Sequence, residues 1–180
     1  LENPENDLSS ELMSADGVSL GRYYKLNRLQ ISYEELSDEL VTTLLSSEDH
    51  RFYNHSGIDL IGLLRAAKGV LTFGYAGGGS TITMQLAENL FKGDTESDAP
   101  LLRVPGLNKL IIKTKEWLIS AQLEGNFTKK EIIAMYLNTV PFGQGSFGIK
   151  SAAETYFGKS ADSLNYQESA VLIGLLQGNT

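Results

Sequence analysis

The sequence is 180 residues long and 42% apolar, one domain's worth of chain with enough hydrophobic content for a buried core. It holds no cysteine, which removes disulfides and thiolate metal sites, and its formal charge of −7 argues against nucleic acid as a partner, because duplex binding depends on clustered Lys and Arg. The longest uncharged runs, Gly69 to Ala87 and Ile132 to Ile149, are broken by Gly or Pro and rich in Thr, Asn or Gln, so neither reads as a membrane-spanning helix.

Residues 1–31 read as a polar lead-in without a signal-peptide pattern, in which Asp16-Gly17 marks a hairpin turn between short strands. Ser32 with Glu35 forms a capping box, after which Leu36, Leu40, Val41, Leu44 and Leu45 recur at helical spacing as far as Ser46. Glu48 then stands at the C-terminal end of a helix, where the dipole disfavours a negative charge and pushes a carboxyl pKa upward. Asp59 caps a second helix, apolar nearly all round and relieved only by Arg65 and Lys68; such a helix is either wholly buried or lipid-facing. Ser80 caps a third helix to about Phe91. Residues 92–107, with Gly93, Pro100, Pro105 and Gly106, read as a mobile loop. A long helix spans roughly Asn108 to Glu124. Capping boxes at Thr128 with Glu131 and at Asn165 with Glu168 open two more, ending near Asn138 and Gln177.

Chemistry concentrates in three places. Glu48-Asp49 lies between an apolar helix and the turn that reaches Gly57, where a carboxylate is held part-buried yet faces a cleft, as a general base or acid requires. The glycines of Gly77-Gly78-Gly79-Ser80-Thr81 let the backbone pass close to a ligand, and the free N–H groups at the following helix start attract anions. Between Leu101 and Lys130 the bases Arg103, Lys109, Lys113, Lys115, Lys129 and Lys130 face only Glu116 and Glu124, a local charge of +4 on an acidic body. By itself such a run is a solvated face, and Lys113 with Glu116 at i, i+3 is a surface pair of little energetic weight. His55 has only His50 for histidine company, which rules out a His-rich metal site and leaves it as a structural hydrogen-bonder for the Glu48 loop. Ser80 lacks the Gly-x-Ser-x-Gly elbow of a nucleophile and reads as an anion or sugar contact.

Taken in order, these motifs resemble the peptidoglycan glycosyltransferase domain, glycosyltransferase family 51, of class A penicillin-binding proteins and monofunctional glycosyltransferases. The resemblance runs from Ser32 to Thr180. It rests on Glu48, Asp49, Phe52, His55 and Gly57; on Gly79-Ser80-Thr81-Ile82-Thr83 with Gln85; on Lys113 and Glu116; on Tyr136-Leu137-Asn138; and on a tail that includes Phe142-Gly143-Gln144-Gly145 and Tyr156-Phe157-Gly158-Lys159. It implies a single mainly α, lysozyme-like domain over 1–180, with a head lobe and a smaller membrane-facing jaw lobe, and assigns residues 58–76 to the membrane-facing part. It further implies that Glu48 is the base that deprotonates the C4 hydroxyl of an acceptor lipid II, while the donor is a lipid-linked glycan strand that loses polyprenyl diphosphate. Lys113, Ser80 and Thr81 would stabilise that leaving group. Glu116 would hold the donor region directly or through a divalent cation such as Mg or Mn, no cofactor being otherwise required, and Asp49, Gln85 and Asn138 would complete the substrate site. The expected location is the outer face of the cytoplasmic membrane, with an anchor helix preceding Leu1 and a transpeptidase domain following.

Four positions depart from the family pattern: Ile112 stands where Arg is usual, Glu88 where Lys is usual, Met84 where Gln is common, and Ala134 where Glu is usual. Losing Arg and gaining Glu weakens diphosphate binding unless Lys92 or Lys109 substitutes. Two rivals to glycan polymerisation therefore stand: a glycan-cleaving enzyme of the lysozyme or lytic transglycosylase kind, in which an acid protonates the glycosidic oxygen, and a module that binds lipid-linked glycan without chemistry.

Overall fold

The computed structural model describes residues 10–13, 19–23, 27–28, 30–72, 78–91 and 107–178. The Asp16-Gly17 turn, the 92–106 segment and residues 73–77 lie outside them. The described chain is mainly α, as the resemblance implied, with helices α1 (Asp38–Glu48), α2 (Leu60–Leu71), α3 (Ile82–Phe91), α4 (Leu107–Asn126), α5 (Lys129–Thr139), α6 (Ile149–Phe157) and α7 (Tyr166–Gly178). Strands β1 (Ser10–Met13) and β2 (Ser19–Tyr23) pair antiparallel, from Ser10 opposite Tyr23 to Met13 opposite Ser19, with a register irregularity between Leu12 and Met13. By its contacts the chain divides into two units, Leu1–Leu44 with Leu137–Thr180, and Leu45–Tyr136.

Helix starts follow side-chain chemistry. The carboxylates of Glu131 and Glu168 accept the backbone N–H groups of Thr128 and Asn165 at 2.7 and 3.1 Å, so both boxes cap α5 and α7 as read from sequence. These hydrogen bonds hold the Glu131 carboxyl below its ordinary range; for Glu168 the first cause is its hydrogen bond from Lys159. The Ser32–Glu35 box forms as well, but it closes a 3₁₀ turn, Tyr33–Glu35, rather than opening α1. Leu36 leaves that turn in an extended conformation, and the chain restarts with Ser37 Oγ accepting Leu40 N–H at 3.1 Å. The helix thus begins at Asp38 and runs two residues past the expected Ser46, which makes Glu48 its last residue.

In the first unit, α6 packs against α7, the 3₁₀ turn Ala161–Ser163, and a two-residue parallel ladder between β3 (Asn27–Arg28) and β4 (Ser146–Phe147). Ile149, Ala152, Ala153, Leu172 and Phe142 are buried there. The entry to α6 requires glycine: Gly148 has φ +81°, and a Cβ on it would stand 2.9 Å from the Asn138 carbonyl oxygen. In the second unit α3 packs along α4, and Phe52, Ile82, Met84, Leu86, Ile132, Ile133 and Tyr136 are buried. Met84 and Ala134, two of the four departures from the family pattern, are among these interior positions, whereas Glu88 is exposed and Ile112 half-buried.

Candidate active site

The site is built on the loop after α1. Asp49 N–H still bonds to Leu45 O at 3.1 Å, and the chain then turns through the 3₁₀ segment Phe52–Asn54, so that His55 Nε2 comes back to the Asp49 carboxylate at 3.0 Å. The same carboxylate accepts Ile82 N–H at 3.2 Å, at the start of α3, where the helix dipole favours a negative charge. Asp49 is 7% exposed, so its carboxylate serves as an internal tie between loop and helix. His55 Nδ1 is buried without a hydrogen-bond partner, and the His55 carbonyl accepts Lys129 Nζ at 2.7 Å. Lys129 also binds Glu124 at 2.8 Å and lies 4.2 Å over the Phe52 ring, while Glu124 accepts the Thr83 hydroxyl at 2.7 Å. One lysine thereby fastens α3, α4, α5 and the Glu48 loop.

Glycine is obligatory at Gly57, with φ +88° and a hypothetical Cβ only 2.8 Å from Ser120 O on α4. The Gly57 carbonyl accepts the Thr81 hydroxyl at 2.6 Å, and Thr81 Oγ1 in turn accepts Met84 N–H at 3.1 Å. Thr81 therefore caps α3, which begins at Ile82, one residue after the Ser80 expected in that role.

Glu48 stays beside solvent. It lines an open concavity together with Asp49, His50, Asp59, Gly62, Arg65, Gly78, Gly79, Ser80 and Thr81. Asp59 caps α2 through Ile61 N–H at 3.1 Å and is bound by the Arg51 guanidinium, with Arg51 Nε at 3.1 Å. That pairing, helped by the Gly62 N–H and opposed by burial, holds the Asp59 carboxyl down at about 2. Arg65 is the lysine-or-arginine cation on the wall, a residue that sequence reading noted only as a break in the apolar pattern of α2.

The concavity unites four of the expected site residues: Glu48, Asp49, Ser80 and Thr81. Gln85 meets Glu48 directly, its Nε2 donating to Glu48 Oε2 at 2.9 Å, while the Tyr136 hydroxyl donates to Gln85 Oε1 at 2.8 Å. Lys113 and Glu116 do not line the concavity; they pair with each other at 2.6 Å on α4, with Glu116 buried and Lys113 part-exposed. Asn138 belongs to the other unit, where its amide clamps Ile31, accepting the N–H at 2.9 Å and donating to the carbonyl at 2.8 Å. No group of three or more His, Cys, Asp or Glu suited to a metal occurs among the described residues, and Glu116 Oε2 accepts a hydrogen bond from Lys113 Nζ.

A helical chain in which a carboxylate at a helix end, two glycines before a helix start and an arginine line one concavity has the makings of a glycosyl-transfer site. The Transglycosylase family model matches residues 16–180, and the chain belongs to that family. Penicillin-binding protein 1A of Escherichia coli (strain K12) is 35% identical over 176 residues, which cover 97% of this chain and 19% of that protein. Penicillin-binding protein 1F of Bacillus subtilis (strain 168) is 36% identical over 168 residues, 93% of this chain and 22% of that protein. Penicillin-binding protein 1A of Aquifex aeolicus (strain VF5) matches at 35% over 168 residues, again 93% and 22%. The chain spans about a fifth of the length of the curated relatives it matches.

Proposed function

We propose that this transglycosylase domain polymerises lipid II into β-1,4-linked glycan strands, with Glu48 as the general base. The observation that carries the reading is the position of Glu48: last residue of α1, on the wall of an open concavity, and held by an N–H from Gln85. That N–H fixes the carboxylate on the wall of the concavity, where an acceptor hydroxyl can reach it. Glu48 takes the proton of the acceptor C4 hydroxyl as its oxygen bonds to the anomeric carbon of the donor strand. The bond from that carbon to the diphosphate oxygen breaks, the configuration inverts, and polyprenyl diphosphate leaves with the bonding pair. Arg65 offers positive charge to the departing phosphates, and Ser80 on the same wall offers a hydroxyl. Lys113 is retained as a second phosphate contact through its part-exposed ammonium, and Glu116 as the residue that orients it.

No cofactor enters this scheme, and chelation by EDTA should leave turnover unchanged. The described helices include none long and apolar enough to cross a membrane. Contact with the outer face of the cytoplasmic membrane is supported instead by Leu60, Ile61 and Leu64 of α2, all at least 65% exposed. A transpeptidase domain elsewhere in the full-length protein is supported by the penicillin-binding names of relatives of which this chain covers about a fifth.

Incubation of the full-length protein with labelled lipid II, followed by gel separation, tests the reading. Growth of a ladder of strands with release of diphosphate lipid is the expected result. Shortening of preformed strands without synthesis would assign the site to glycan cleavage, and retention of lipid II with neither outcome would make it a binding module.

A further inference from the structure

Glu48 is reached by a hydrogen-bonded chain that starts inside the protein. Tyr136, on α5, is 1% exposed, and its hydroxyl donates to Gln85 Oε1 at 2.8 Å; Gln85 Nε2 donates to Glu48 Oε2 at 2.9 Å. The two ends of a glutamine amide differ in kind, since one only accepts and the other only donates. A hydroxyl donor at Oε1 turns the N–H end outward, and only an acceptor such as an ionised carboxylate suits that end. Were the amide reversed, its oxygen would face the Glu48 carboxylate and repel it.

We infer that Tyr136 is a positioning residue for the reaction, acting through Gln85 to keep the Glu48 carboxylate aimed as a proton acceptor; the inference rests on the reading of Glu48 as base. Burial, and then the Glu48 charge, push the Tyr136 phenol up, so it remains a protonated donor throughout the working range. Asp49, Asp59 and Arg65 of α2 line the same concavity as Glu48, and His50 follows on the loop. Asp49 is hydrogen-bonded to His55 and Asp59 is paired with Arg51, while the Gln85 N–H is given to Glu48.

The test is the pH dependence of kcat/KM for lipid II polymerisation by the full-length protein, whose acidic limb reports the base of the free enzyme. In Tyr136→Phe the amide loses its orienting donor. Losing a donor to the charged form disfavours it, so the limb moves to higher pH, and kcat falls on the order of tenfold with KM little changed. Gln85→Leu should move the limb in the same direction, and adding Tyr136→Phe to it should have no further effect. A Tyr136→Phe protein that folds, with unmoved limb and unchanged kcat, overturns the inference while leaving the polymerase reading intact. If Tyr136→Phe fails to fold, Gln85→Leu decides: a raised limb supports the inference, and a raised KM with an unmoved limb overturns it by making Gln85 a substrate contact only. A wild-type protein that makes no strands refutes the base reading instead.

Discussion

At the scale of single residues, two side chains carry testable consequences outside the chemistry. Asp59 has its carboxyl held at about 2, against an ordinary 3.8, mainly by the Arg51 guanidinium. Because the folded value lies below the unfolded one, this pairing contributes stability that is full above about pH 4 and is lost as pH falls toward 2. Denaturant midpoints measured across that interval should converge for the wild type and Asp59→Asn at low pH and separate near neutrality, the variant being the less stable. Gly57 is a second case. Its φ of +88° and the 2.8 Å approach of a would-be Cβ to Ser120 O mean that Gly57→Ala both strains the backbone and pushes α4 away. A loss of about 2 kcal/mol or more in unfolding free energy is expected by calorimetry or denaturation. Glu48, His55 and Gly57 were legible because their order and spacing are distinctive. The partners of Asp49, Thr81 and Asn138 were not, since a buried polar residue can satisfy its own protein as readily as a ligand, and only coordinates show the carboxylate of Asp49 turned to Ile82 N–H.

At the scale of elements, caps were the most readable feature. Thr128–Glu131 and Asn165–Glu168 fix the starts of α5 and α7 because both partners lie within four residues of one another. The same local signal misplaced the start of α1, as Ser32–Glu35 closes a 3₁₀ turn and Ser37 performs the actual capping. Helix α6 gave no such signal, for it begins at Gly148, whose role is close approach to the Asn138 carbonyl rather than a side-chain cap. The faces of α2 were equally hidden, because an all-round apolar pattern does not say which side is covered. Leu60, Ile61 and Leu64 are open, whereas Leu63 is half-buried and would lie 3.2 Å from a Cβ on Gly79. Leu60→Ser with Leu64→Ser should therefore reduce binding to anionic phospholipid vesicles several-fold while leaving the melting temperature nearly unchanged. Unchanged vesicle binding with a collapsed melting temperature would assign that face to the core.

At the scale of the whole molecule, the fold class and the family followed from motifs in sequence order, and the composition alone excluded disulfides. Charge distribution was less informative. Of the basic run between Leu101 and Lys130, Lys113 and Lys129 are each paired with an acid, and among the described residues the Lys or Arg that lines the concavity with Glu48 is Arg65, from a different helix. The Lys113–Glu116 pair was legible as an i, i+3 spacing, whereas the hold of Lys129 on Glu124 and on the His55 carbonyl depends on how α4, α5 and the Glu48 loop come together. The account as a whole depends on one proton acceptor. The most direct measurement is the steady-state rate of strand elongation by Glu48→Gln in the full-length protein, beside its affinity for lipid II. The account predicts a fall in kcat on the order of 10²-fold or more with affinity retained, as expected when a general base is removed and binding groups are left in place. A variant that elongates strands at the wild-type rate would contradict it.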